Sequence, residues 1–191
     1  MPRTLNQPYN EMVDKAKHLF WQKGFRAVSN EDLANALGVS KSTVYNRLGK
    51  EQLFIDSLTS YFKTVTDPTM ETLRNEKGGL KTFENMFFGL IDALFDGYFP
   101  RNCLMVNTCV EMRADIDEIT PFYEPYFANI RESYIVVLER AFELGEIKSR
   151  ASIPNYVEFL FGAIFTISVF SKIKTREELK QHISDQLELI N

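Results

Sequence analysis

The chain has 191 residues, enough for one domain plus a small appended unit; with 45% hydrophobic and 25% charged residues it has the balance of a folded globular protein, not a disordered or fibrous one. Two cysteines exclude a disulfide-stapled scaffold, and the net charge of −4 argues against a nucleic-acid binder until it is divided. Residues 1–50 hold 8 Lys/Arg against 4 Asp/Glu and residues 51–191 hold 14 against 22, so a head of +4 sits on a body of −8. Local phosphate contact requires such a basic head.

The predicted elements follow in chain order. The first eight residues read as a loose basic arm carrying Arg3. A helix over residues 9–22 turns Met12, Ala16, Leu19 and Phe20 inward and ends at Gly24. Ser29 caps the next helix, with Asp32 at the third helical position; Leu33, Ala34 and Leu37 face one core. Gly38 takes the left-handed position that ends it, Val39 plugs the turn, and Ser40 caps a helix over residues 41–48. There Val44 and Leu48 face inward, leaving Ser42, Thr43, Asn46 and Arg47 outward. A short helix with one apolar face and one face of small polar side chains suits the DNA major groove.

The polar residues have matching chemistry. Ser42 and Thr43 hydroxyls meet base edges or phosphates, Asn46 pairs with adenine, and Arg47 pairs with guanine or a phosphate. Tyr45 lays its ring against the backbone or a thymine methyl. Ser29, Ser40, Lys41 and Lys50 complete the candidate DNA-contacting set.

The stretch A-K-H-L-F-W-Q-K-G-F (residues 16–25), then S-N-E-D-L-A-N-A-L-G-V-S-K-S-T-V-Y-N-R-L, then K-E-Q-L-F resembles the N-terminal domain of TetR-type transcriptional regulators. Two departures stand out. The family usually has Thr where Val28 stands, and the loop between Leu48 and Lys50 is one residue short. The resemblance implies an all-α protein of about nine helices, a homodimer on a pseudo-palindromic double-stranded operator, and repression released by a ligand bound in the body. Residues 1–50 are then the DNA-binding domain, and residues 51–191 the ligand-binding and dimerisation domain.

The body also reads as helix. A connecting helix spans residues 50–65, and Asp67-Pro68 caps a new segment. Gly78-Gly79 breaks the chain before an aromatic helix over residues 80–99. A helix over 103–115 follows, then a long one from Asp115 or Thr120 to Gly145, one over 152–172, and a last one to residue 189, capped by Thr175 with Glu178. Aromatics crowd residues 83–127, with Met86, Met105 and Met112 among them. Such a region forms either plain core or an apolar small-molecule cavity. The expected lining is Phe87, Ile91, Met105, Cys109, Met112, Phe122, Tyr126 and Phe165. The segment N-C-L-M-V-N-T-C-V-E over residues 102–111 is similar to one found at this point in a branch of the family, where glycine is more usual than Asn102.

Residues 157–170 are apolar nearly all round, so both sides of that helix need cover. A two-fold bundle with the last helix places Phe161, Ile164, Ser168, Leu179, Ile183 and Leu187 at a dimer interface. The same run contains Glu158 and falls short of a span of ~20 residues, so the expectation is a cytoplasmic protein without membrane contact. Cys103 stands at a helix start, where the dipole raises thiol reactivity, which allows redox or electrophile sensing. Cys103 and Cys109 lie about 240° apart around a helix and do not bridge.

An enzyme is disfavoured. His18 and His182 have no ligand partner at i+3 or i+4, and phosphate loop, nucleophile elbow and Cys-x-x-Cys are lacking. No metal or cofactor is expected. A helical ligand-binding module without specific DNA binding remains an alternative, but it leaves the small polar face of residues 41–47 without a role.

Overall fold

The structure, a computed structural model, describes residues 8–112 and 116–190, with side chains from 120 onward in the second stretch. The described residues are helical with no strand. The basic arm at Arg3 and both expected helix ends at Asp115 lie outside them.

The head is built on α1 (Tyr9–Lys23), α2 (Asn30–Leu37) and α3 (Lys41–Thr43, continued by a wide turn over Val44–Leu48). Met12, Ala16, Phe20, Leu33, Leu37 and Val44 are buried together. Val28 is itself fully buried and fills this core. α4 (Lys50–Tyr61) closes the head from below: Phe20 meets Phe54 edge-on at 5.1 Å, and Leu53 and Leu58 are buried. Polar clamps join α1 to α4. The Tyr9 hydroxyl donates to Asp56 at 2.5 Å, and the buried Lys17 ammonium reaches Asp14, Ser60 and Thr64 at 2.9, 3.1 and 3.2 Å.

Three expected boundaries move. α4 runs through a second wide turn (Phe62–Thr66) into α5 (Asp67–Asn75) without a break. Asp67 therefore caps nothing; its carboxylate accepts from Asn129 at 2.8 Å. α6 (Leu80–Phe95) ends four residues early because Gly97, at φ 80°, turns the chain away. α7 (Leu104–Glu111) begins just after Cys103.

α8 (Ile116–Glu143) and α9 (Ile153–Phe170) lie side by side, and α10 (Arg176–Glu188), capped by Thr175 and Glu178 as expected, packs on α6. Arg74 donates to Asn129 and Ser133 on α8, and Arg140 returns to the Arg74 carbonyl at 2.9 Å, which fixes α5 along α8. With the short 3-10 turn before it, α9 forms a 21-residue segment (Arg150–Phe170) containing an 18-residue window of mean hydropathy 1.5, sufficient by length and composition alone to cross a membrane. Its buried side rests on α8 and the core residues around it.

Candidate nucleic-acid interface and effector cavity

The helix-turn-helix is fixed by local chemistry. Ser29 Oγ accepts from the Asp32 N–H at 3.0 Å while the Asp32 carboxylate accepts from the Ser29 N–H at 2.9 Å, a reciprocal cap. Lys23 beside Asp32, with the Ser29 hydroxyl and N–H, holds that carboxyl well below the usual carboxylate range. Gly38 has φ 67°, and Ser40 Oγ accepts from the Thr43 N–H at 3.1 Å. The short connection after α3 is made by the wide turn. The Gly49 N–H reaches back five residues to Val44 at 2.8 Å, and Gly49, at φ 75°, passes the chain straight into α4.

This arrangement buries Val44 and Leu48 and leaves Lys41, Ser42, Tyr45, Asn46 and Arg47 on one exposed face, with Tyr45 76% exposed. Thr43 is half-buried, its hydroxyl 2.8 Å from Ser40 Oγ. Ser29 and Ser40 are exposed, but their hydroxyls are engaged as caps. Lys41 lies 3.5 Å from Glu31, and the Lys50 ammonium sits 4.4 Å over the Phe25 ring.

Below the head lies a cavity of about 530 Å³. Of the eight expected lining residues, Phe87 and Tyr126 line it. Ile91, Met105 and Met112 are buried elsewhere in the core, while Cys109, Phe122 and Phe165 are half-buried away from it. Sequence reasoning missed Trp21, Tyr61, Asn102 and Tyr134, which also form the wall. Trp21 comes from α1, so the head itself supplies part of the cavity. Its indole N–H donates to the Asn102 carbonyl at 2.9 Å, and the Asn102 amide returns to the Trp21 carbonyl at 3.3 Å. At the other end of α7, the Glu111 carboxylate accepts the N–H groups of Phe25 and Arg26 at 2.8 and 2.6 Å. α7 thus brackets α1 at both of its ends.

Cys103 forms part of the cavity wall, its Sγ 3.4 Å from the hydroxyls of both Tyr61 and Tyr126. Burial, then the neighbouring Cys103, pushes both tyrosines well above the ordinary phenol range, so they are neutral donors. Burial pushes the Cys109 thiol up to about 11, which makes it a poor nucleophile at neutral pH. Both thiols are free.

The six residues expected at a dimer interface, Phe161, Ile164, Ser168, Leu179, Ile183 and Leu187, are all buried within the protomer. On α9, Phe161, Ile164 and Ser168 form the side packed toward the protomer's own core. The outward side carries Phe159 and Val169, and the neighbouring α8 exposes Ile135, Val136 and Phe142.

Comparison with known proteins agrees with this geometry. Residues 12–56 match the family described as bacterial regulatory proteins, tetR family. The chain is 21% identical over 183 residues to YezE, an uncharacterized HTH-type transcriptional regulator of Bacillus subtilis (strain 168), covering 94% of each chain. It is 26% identical over 162 residues to the HTH-type transcriptional repressor ComR of Escherichia coli (strain K12), covering 84% of this chain and 77% of ComR. Among solved structures, a cysteine mutant of the TetR family transcriptional regulator CifR, complexed with 26-base-pair operator DNA, superposes with a TM-score of 0.79 at 20% identity over 98% of both chains. A TetR transcriptional regulator from Chloroflexus aurantiacus J-10-FL superposes with a TM-score of 0.76 at 17% identity, over 94% of this chain and 91% of that one. With its capped α2–turn–α3 unit and its buried Val44 and Leu48, the head over residues 12–56 is a DNA-binding domain of the tetR family of bacterial regulatory proteins, and the whole chain shares the all-helical fold of the TetR regulators it superposes on.

Proposed function

We propose that the protein is a homodimeric repressor that binds a pseudo-palindromic operator through α3 and leaves it when a small, mostly apolar effector enters the cavity. One observation carries the DNA reading: a doubly capped helix-turn-helix presents Ser42, Tyr45, Asn46 and Arg47 outward while Val44 and Leu48 are buried. The operator complex of the similar CifR supports it. α3 enters the major groove, Ser42 and Asn46 read base edges, and Tyr45, Lys41 and Lys50 hold the backbone. Residues 1–50 carry this activity with the first half of α4 completing their core, and residues 51–191 form the sensing and dimerising body. The exposed apolar residues on α8 and α9 are the dimer face, since Ile135 and Phe142 lie one above the other on α8 at helical spacing and Phe159 and Val169 are exposed on the α9 packed against it. Effector release acts through α7, because Asn102 and Trp21 line the cavity and also bind each other.

The test is binding of the purified protein to the intergenic DNA flanking its own gene, at stated salt, with excess nonspecific duplex. Saturable binding that survives competitor, with a footprint spanning two half-sites, supports the reading. Tyr45→Ala weakens binding to many sequences, whereas Asn46→Ala and Ser42→Ala change which operator is preferred. Loss of all binding in competitor refutes a specific regulator. A second reading rests on Cys103, which stands in the cavity wall at the start of α7 between two phenol donors. In it the thiol attacks an electrophilic effector, the new S–C bond forms as the electrophile's oxygen takes up the thiol proton, and Cys103→Ser abolishes the response.

A further inference from the structure

The polar atoms of the cavity are not equivalent. The hydroxyls of Tyr61 and Tyr126 are spent on Cys103. Tyr134 on α8 is fully buried and lines the same cavity, yet its hydroxyl has no hydrogen-bond partner. Its ring is held edge-on by Phe83 at 5.0 Å and by Phe87 at 6.3 Å, so the phenol does not swing away to find one. Burial pushes Tyr134 far above the ordinary phenol range, which leaves it a neutral donor. The Asn102 Oδ1 is likewise buried and unpaired. Buried polar groups are almost always satisfied, and an orphan on a residue that lines a cavity marks a missing partner.

Charge narrows what that partner is. Among the described lining residues there is no Lys, Arg or His, and the single carboxylate, Glu76, is solvent-exposed. A carboxylate or phosphate brought into this cavity loses its water with no cation to replace it. An alkane leaves the Tyr134 hydroxyl unpaired. We infer that the cavity takes an uncharged apolar molecule bearing one oxygen that accepts the Tyr134 hydroxyl, of the alcohol, ketone, aldehyde or ester class. This inference rests on the effector reading of the cavity given above.

Trp21 is the chain's single tryptophan and lies in the cavity wall, so its emission reports occupancy directly. The full chain is titrated with three probes of one shape that do not absorb with the indole: 1-adamantyl methyl ketone, 1-ethyladamantane and adamantane-1-carboxylate. The ketone binds about tenfold more tightly than the hydrocarbon, the size expected for pairing a buried hydroxyl, and the carboxylate binds weakest. Tyr134→Phe, which removes only the unpartnered oxygen, reduces the ketone's advantage to less than about twofold and leaves 1-ethyladamantane unchanged. That second result also shows that the variant is folded with its cavity intact. Carboxylate binding equal to that of the ketone, or a ketone preference that survives Tyr134→Phe, overturns the assignment of class while leaving the cavity an effector site. Silence of Trp21 toward all three probes, in protein that still binds DNA, overturns both this inference and the effector reading beneath it.

Discussion

Glu111 on α7 offers the sharpest test of how the body holds the head. Its carboxylate accepts two backbone N–H groups from the loop after α1, Phe25 at 2.8 Å and Arg26 at 2.6 Å. The Phe25 bond is partly buried and the Arg26 bond is exposed, so water replaces the second far more readily than the first. A hydrogen bond to a charged group contributes about 1.5–3 kcal/mol where solvent is excluded and much less where it is not. Glu111→Ala therefore costs about 2 kcal/mol, which for a chain of this size lowers Tm by about 4–8 °C. Glu111→Gln keeps one carbonyl acceptor and loses about half of that.

A second substitution makes the test specific. Gly24 has φ 83° and ψ 163°, a region open essentially to glycine alone, and a Cβ built there lies 2.8 Å from Glu111 Oε2. Gly24→Ala thus costs backbone strain of about 1–3 kcal/mol and also pushes the carboxylate off its two donors. With alanine already at 111 only the strain remains, so the double mutant is less destabilised than the sum by about 1 kcal/mol. Urea unfolding of the four proteins gives the cycle, and hydrogen exchange at Phe25 and Arg26 locates the loss. Additive effects, or a Glu111→Ala protein within about 0.5 kcal/mol of the parent, refute the bracket.

Other outcomes are equally concrete. Ser40→Ala removes the cap of α3 and destabilises the head by about 1 kcal/mol in urea unfolding, with a larger loss of operator affinity because α3 carries the contacts. Asp32 is held below the usual carboxylate range by Lys23 and by the Ser29 hydroxyl and N–H, so its contribution is complete above its unfolded pKa of about 3.9 and is lost as pH falls through the lower folded value. Asp32→Asn therefore flattens the acid limb of a stability–pH curve below about pH 4, and an unchanged limb refutes the cap's electrostatic role. Val169→Glu lies on the exposed side of α9, leaves the protomer folded, and yields a monomer by sedimentation with weakened operator binding; a dimer that survives it places the interface elsewhere.

The head was legible because its signals are local. Ser29, Gly38 and Ser40 each specify a cap or a turn within four residues of themselves, and Leu33, Leu37 and Val44 show which side is buried. The direct passage through Gly49 was not legible, because the wide turn at Val44–Leu48 has no composition of its own. The cavity was legible only as a region. Periodicity shows that Ile91, Met105 and Met112 are buried, but not that they meet other side chains while Phe87 and Tyr126 meet a void. Trp21 was missed because it reads as one more apolar position on α1, although a lone tryptophan whose N–H needs a partner is a usable signal. On α9, Phe159 is an apolar residue on an exposed side that also carries Asn155 and Glu158, so only packing against α8 tells Phe161 from Phe159.

On the proposed function, the placement of α7 sets how strongly an effector acts. Its N-terminal end exchanges two hydrogen bonds between Asn102 and Trp21 at the cavity wall, and its C-terminal end holds the α1–α2 loop through Glu111. A ligand shifts the head only by as much as it prefers one arrangement of this bracket over the other. Four contacts of about 1 kcal/mol each, two of them exposed or long, bound that difference at about 3 kcal/mol. Release is therefore at most about 150-fold per protomer, and the proposed dimer, which must place both heads in successive grooves, multiplies it. If Glu111→Ala removes the bracket, the same effector retains its affinity for the cavity but releases operator by a far smaller factor, and the two titrations separate coupling from binding. An unchanged release factor in that variant transfers the coupling to α4, whose Tyr61 also lines the cavity and whose other end carries Lys50 beside the DNA-reading helix.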